Sequence, residues 1–363
     1  MLKTKPAVFV VGENYQIMVP TTCETLMSAK VGGEWYYDES NGTMRSDVFV
    51  HRVTVPMDAL DAAKEYTLHV RKVIERKAYF TETEEPVEYT FAFRPVPAEG
   101  ARAYHIADTH NMVEPPVKAA AVYGNIDFLI LNGDIPDHSG DPDNILTVYE
   151  ITSRITGGNI PVVFSRGNHD MRGNYADRFC DLVGSNNGLS YFTFRLGSIW
   201  GMILDSGEDK NEDHPAYGYT NCCHAFRRRQ TKFIEQVIRN KATEYAAPDV
   251  RYRMVICHNP FTEVLEPPFD IEKDLYTLWA KLLKEHVKPD MMLCGHMHKL
   301  SISPIGSEKD HLGQPCTVVV GAESWLDPKD LRFQGAGICF DGGGITVTFT
   351  GSHNTPIQTH KIK

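Results

Sequence analysis

Residues 128–137, FLILNGDIPD, and residues 162–170, VVFSRGNHD, decide the fold. Each is a short apolar run that ends in a polar cluster. An uninterrupted apolar run of about four to eight residues suits a strand buried on both faces, as in a parallel sheet. Working outward, the pattern recurs three times. Tyr104 to Ala107 runs into Asp108-Thr109-His110, Met254 to Cys257 into His258-Asn259, and Met291 to Cys294 into Gly295-His296-Met297-His298. Helices are expected over Asn144 to Ile155, Phe226 to Asn240 and Leu275 to His286. Apolar strands alternating with helices predict an α/β fold over residues 98–363.

Upstream of Pro95-Val96-Pro97 the spacing changes to period two. Val87, Tyr89, Phe91 and Phe93 alternate with Glu88, Thr90, Ala92 and Arg94, and Tyr66, Leu68 and Val70 alternate with Thr67, His69 and Arg71. Gly32-Gly33 between two strand-like runs predicts a tight hairpin turn. Residues 1–97 are therefore expected to form a smaller all-β sandwich domain. Leu60, six residues before Tyr66 at a strand entry, resembles the tyrosine corner of immunoglobulin and fibronectin type III folds.

Composition narrows the function classes. The formal charge of -10 argues against the broad basic surface that binding to a nucleic-acid polymer requires. No apolar run approaches the ~20 residues of a membrane-spanning helix, so no membrane role is expected. The short apolar run Ala7 to Val11 is interrupted by Gly12-Glu13-Asn14 and carries no small-residue cleavage pattern, so a cytoplasmic location is expected. The 8 cysteines include no C-x-x-C pair, and the vicinal Cys222-Cys223 suits a disulfide poorly; they read as reduced, mostly buried thiols. The acidic runs Glu82 to Glu88 and Glu208 to Asp213 read as solvated loops, and Arg227-Arg228-Arg229 as the solvated face of a helix.

In open α/β sheets, ligands gather at the carboxyl ends of the strands, where loops converge on a rigid frame. Five polar clusters at five strand ends therefore point together. Singly, most have an ordinary explanation. An Asp-x-His is commonly a helix cap beside a surface histidine, Gly133-Asp134 before Pro136 is usual turn chemistry, and His258 alone reads as a satisfied strand-end histidine. Gly167-Asn168-His169-Asp170 is a much rarer combination. In Gly295-His296-Met297-His298 the alternate histidines can face one centre from an extended segment. The Asp, Asn and His donors, with no thiolate, suit Mn, Fe or Zn in a hydrolytic site rather than a structural Zn.

The ordered set D-x-H, G-D-x-x-D, G-N-H-D, a lone His and G-H-x-H, over roughly Ala101 to Val320, resembles the calcineurin-like metallophosphoesterases. The resemblance implies a calcineurin-like β-sandwich core flanked by helices. It also implies a metal-dependent hydrolase, phosphomonoesterase or phosphodiesterase, with two divalent or trivalent metal ions (Mn, Fe or Zn) and a metal-bridging hydroxide as nucleophile. By that resemblance Asp108, His110 and His298 hold the first metal, Asn168, His258 and His296 the second, and Asp134 bridges them. A carboxylate is the group here whose two oxygens can span metals ~3.5–4 Å apart. Two divalent ions would exceed the charge of both aspartates and a hydroxide, a surplus that attracts phosphate even in an acidic protein.

Around that centre His169 is the candidate acid for the leaving group, with Asp137 expected to orient it by accepting its second N–H. Arg172 either contacts a substrate phosphate or pairs with Asp170 or Asp177. Purple acid phosphatases also join a β-sandwich to this type of domain, but they carry Tyr where this chain has Asp137. No tyrosinate charge-transfer colour is therefore expected; a purple band on iron loading of the purified protein would refute this. Specificity for a small phosphorylated substrate is expected from the long irregular stretch Ser206 to His224, while Asn111, His138 and Tyr217 read as structural. The competing function is a non-catalytic scaffold that keeps the fold and binds a protein partner. Loss of ligands would favour it, and all seven are present.

Overall fold

The computed structural model of the chain describes residues 1–353 and 357–363. The strands Ala101–Ile106, Phe128–Asn132 and Pro161–Ser165 lie side by side and parallel. Every residue of the latter two is buried, as continuous apolar runs predict. A second sheet is built around Ile199–Leu204, Tyr252–Cys257, Met291–Cys294 and Thr317–Val320, also mutually parallel. Its edges are the antiparallel strands Phe192–Leu196 and Ser301–Ser303.

The two sheets face each other, and side-chain alternation divides the core into layers. Phe128 and Ile130 join Tyr252, Met254 and Ile256 between the sheets. Leu129 and Leu131 point outward, into a core shared with helices Glu114–Tyr123 and Pro142–Thr156. Val255 and Cys257 point outward on the other side, beneath helices Cys223–Arg239 and Lys273–Leu282. This is the expected sandwich core flanked by helices. The helices begin a few residues earlier than their apolar spacing implies. Pro142–Thr156 is capped by Asp141, whose side chain accepts from the Asp143 N–H at 2.9 Å, and it ends on left-handed Gly157. Lys273–Leu282 continues as a π turn over Leu283–Val287, closed by Lys288 N–H to Leu283 O at 2.7 Å.

The N-terminal region is all-β apart from the short helix Met57–Ala63. Thr25–Val31, Glu34–Tyr37, Glu65–Arg76 and Val87–Ala92 form one sheet, and Ala7–Val11, Asn14–Pro20 and Val50–Pro56 lie against it across a shared core. Val31 and Glu34 pair directly, so Gly32 and Gly33, at φ 58 and 99, make the expected two-residue hairpin turn. Hydrogen bonding does not break at residue 97, however. Ala7–Val11 pairs in parallel with Pro161–Ser165, Val8 opposite Pro161 and Phe9 opposite Val162, so the three N-terminal strands extend the first of these sheets. The tyrosine-corner reading also changes. The Tyr66 hydroxyl donates not to nearby upstream backbone but to Gly158 O at 2.9 Å, and its ring stacks on Phe91 at 5.3 Å. Tyr66 thus ties the outer sheet of the sandwich to the end of helix Pro142–Thr156.

Candidate metal centre

The parallel strands of both sheets end on the same side, and the polar clusters follow at once. Turning side chains back over the strand ends demands unusual backbone. Asp108, His110, Asp134, His296 and His298 have φ of 56, 42, 53, 69 and 49, the left-handed region that costs a non-glycine residue roughly 1–3 kcal/mol when the surroundings impose it. The turns also meet closely. A Cβ on Gly167 would stand 2.2 Å from Asp134 Oδ1, and one on Gly133 2.6 Å from His258 Nδ1. Only glycine fits at either place.

The ligand atoms of Asp108, His110 and His298 lie within 4.8 Å of one another, as do those of Asp134, His258 and His296. His110 Nε2 and His298 Nε2 are 3.2 Å apart, and Asp108 Oδ1 is 3.6 Å from His298 Nε2. His258 links the groups, with Nε2 at 3.2 Å from Asp134 Oδ2 and 3.7 Å from Asp108 Oδ1. Asn168 Oδ1 lies 3.1 Å from His296 Nδ1. Backbone amides hold the carboxylates in place: His296 N–H reaches Asp108 Oδ1 and Oδ2 at 3.0 and 2.9 Å, and His169 N–H reaches Asp134 Oδ1 at 2.8 Å. Asp170 ties two of the turns together, its Oδ2 accepting from Gly167 N–H at 2.8 Å and Asp134 N–H at 3.3 Å.

His258 tests whether these residues fit a metal. Its Nδ1–H donates to Asn132 O at 2.6 Å, which leaves Nε2 as the atom that can take either a proton or a metal. Among the described residues that buried Nε2 has no well-aligned hydrogen-bond partner, and it faces two carboxylates. Burial opposes charging of this ring, but Asp134 and Asp108 outweigh it and push its pKa up to about 10. Burial pushes the Asp108 carboxyl up to about 7, whereas Asp134, equally buried, is held well below the usual range by His258 and its histidine neighbours. Burial also lowers His110 and His296 to about 4 and lowers His298, so these rings stand neutral and ready to ligate. Two buried carboxylates around His258 call for positive charge, which the proton on that ring supplies and which a metal would supply in its place. The residues fit a metal of the hard-to-borderline class. Cys257 and Cys294, close in sequence, lie in the outer core and take no part.

The surrounding residues depart from expectation in informative ways. The Asp137 carboxylate reaches His110 Nδ1 at 3.2 Å, against 3.7 Å to His169 Nδ1. His169 Nδ1–H instead donates to the Asp137 backbone carbonyl at 2.7 Å. The carboxylate therefore orients His110, one of the candidate ligands. Arg172 pairs with neither Asp170 nor Asp177. Its Nε and Nη2 donate to Glu208 Oε1 and Oε2 at 2.9 and 2.8 Å, and its Nη1 donates to His169 Nε2 at 3.0 Å.

The stretch beginning at Glu208 is not solvated throughout: Glu208 is 1% and Asp209 8% exposed. The arginine run divides likewise. Arg227 is buried, paired with Glu272 at 3.0 Å, while Arg228 and Arg229 are exposed. Asn111, His138 and Tyr217 make local contacts: Asn111 Oδ1 accepts from Asp137 N–H at 3.0 Å, His138 Nδ1 from Gly140 N–H at 3.0 Å, and the Tyr217 hydroxyl donates to Asp209 at 2.8 Å. A signal for the missed acidic group was present. Ile199–Leu204 is an apolar strand that ends in Asp205-Ser206-Gly207-Glu208-Asp209, the pattern of the other five. All eight cysteines are free.

Comparison with known proteins bears on the family and the fold. No curated protein sequence matches the chain. A purple acid phosphatase, PPD1 of yellow lupin (Lupinus luteus), superposes over 99% of this chain and 73% of its own at 13% identity, TM-score 0.61, which supports the fold alone. A cold-active protein-tyrosine phosphatase of a psychrophilic Shewanella covers 82% of this chain and 96% of its own at 11% identity; its TM-score of 0.30 carries no argument. The family model of calcineurin-like phosphoesterases matches residues 101–300, more than half of the chain. The chain belongs to the calcineurin-like phosphoesterase family and is a metal-dependent phosphoric ester hydrolase.

Proposed function

We propose that the centre binds two metal ions and that the protein hydrolyses a small phosphorylated substrate. Asp108, His110 and His298 would hold one ion, Asn168, His258 and His296 the other, with Asp134 shared. The observation that carries this reading is the buried His258 Nε2, held 3.2 Å from Asp134 and 3.7 Å from Asp108, where a metal would replace its proton. When bound, the ions supply an activated water and positive charge for the phosphoryl oxygens.

The chain's own residues supply orientation and protons. The Asp137 carboxylate, 3.2 Å from His110 Nδ1, keeps the lone pair of that ring on Nε2. His169 is held through Nδ1–H by Asp137 O, so Nε2 is the atom from which it would protonate a leaving group. Arg172 Nη1 points an N–H at that same atom. Two hydrogens cannot share one line between two nitrogens. Protonation from His169 therefore requires Arg172 to hand that hydrogen bond to a substrate oxygen, which couples substrate arrival to release of the acid. A groove of about 1100 Å³ beside Arg172, walled in part by Lys210, Tyr217 and Phe226, would take the leaving group.

The test is metal content and turnover together. Protein loaded with Mn, Fe or Zn is expected to hold two equivalents per chain and to hydrolyse aryl phosphates, and EDTA treatment is expected to abolish turnover until metal is restored. One equivalent at saturation would refute the binuclear reading. Two equivalents without turnover on any monoester, diester or nucleotide would favour the non-catalytic scaffold.

A further inference from the structure

Strand Ile199–Leu204 runs parallel to Tyr252–Cys257, the strand that delivers His258, so the segment Asp205–Asp209 emerges on the metal side of the molecule. Its carboxylates meet the two arginines that flank the Gly167–Asp170 turn. Asp205 Oδ2 accepts from Arg166 Nε at 2.6 Å, and Glu208 takes Nε and Nη2 of Arg172 in a two-pronged pair. The segment is itself braced. Asp205 N–H donates to Gln230 Oε1 at 2.8 Å, Gly207 N–H to Asp205 Oδ1 at 2.8 Å, and Arg227 Nε to Ser206 O at 2.6 Å. A buried ion pair is a poor source of stability, because desolvation offsets the attraction; what a two-pronged pair offers is direction.

Arg172 has five N–H donors. Two go to Glu208 and one to His169, which leaves one hydrogen on each of Nη1 and Nη2. Among the described residues these two hydrogens have no acceptor, on a side chain that is 33% exposed and lines the groove. Asp209 Oδ1, 3.8 Å from Nη2, lies outside hydrogen-bond reach of it. We infer that Glu208 is a positioning residue: braced by the Asp205–Asp209 segment, it aims the free edge of Arg172 at the anionic oxygens of the substrate. The inference rests on the phosphoesterase reading above and adds a residue that acts through Arg172.

The experiment is a double-mutant cycle with Glu208→Ala and Arg172→Ala, read on the affinity of manganese-loaded protein for inorganic phosphate by calorimetry. Metal stoichiometry and melting temperature are recorded for each variant. Arg172→Ala is expected to weaken phosphate by about 10–100-fold, the range for a hydrogen bond to a charged group. Glu208→Ala should cause most of that loss when Arg172 is present and none when it is absent. Glu208→Gln, which keeps the shape, should fall between and serves in place of Glu208→Ala if the latter does not fold. Equal losses in both backgrounds, or no loss with Arg172 present, overturn the inference, as does wild-type protein that binds no phosphate. The phosphate cycle does not depend on turnover. Coupled phosphate binding without ester hydrolysis would sink the proposed function alone, and hydrolysis without coupling would sink this inference alone.

Discussion

At the scale of single residues, the site is a set of strained donors held by exact partners. Left-handed backbone at five of the proposed ligands is tolerated because adjacent turns lock against one another through glycines that no side chain could replace. Asp137 illustrates how much depends on a few tenths of an ångström. Its carboxylate is nearer to His110 than to His169, so Asp137→Ala is expected to weaken metal affinity by about 10–100-fold in competition titrations. Unchanged affinity with lost turnover would instead place its action on His169. The motif spacing assigned Asp137 to His169, whereas its carboxylate lies nearer to His110. Both lie in tight turns next to it, and only their directions distinguish them.

At the scale of elements, strands buried on both faces explain why the fold is legible and where it is vulnerable. Ala101–Ile106 carries His105 in a fully buried position, with Gly321 so close that a Cβ there would lie 2.6 Å from His105 Nδ1. Burial lowers the pKa of this ring to about 3, against about 6.5 in an unfolded chain. Between those values the unfolded state binds the proton and the folded state does not. Stability is thus retained above about pH 6.5 and lost as pH falls toward 3. Comparing pH 7.5 with pH 5 in chelator-treated protein, denaturant unfolding should give a loss about 2 kcal/mol larger for the wild type than for His105→Leu. Identical pH slopes would show that the ring does not control this loss. Helices were legible from apolar spacing. The starts at Cys223 and Lys273 were not, because Cys222 and Glu272 precede those helices without making a side-chain cap.

At the scale of the whole molecule, one sheet spans the N-terminal and catalytic regions. Ala7–Val11 pairs with Pro161–Ser165 inside that sheet, and Tyr66 clasps Gly158 from the outer sheet. With the core continuous through both regions, calorimetry of the full chain is expected to give one unfolding transition; two well-separated transitions would place a boundary near residue 97. The apolar runs and their rare polar ends were readable in the amino-acid sequence alone. Double-sided burial leaves an unbroken apolar signature, and metal chemistry admits few residue types. Pairings between distant segments were decided only by tertiary structure: Arg172 with Glu208, Arg166 with Asp205, and the N-terminal strand with Pro161–Ser165. An acidic run looks the same in sequence whether water or an arginine neutralises it. That choice depends on where a strand end 30 or more residues away comes to rest, which local composition does not encode.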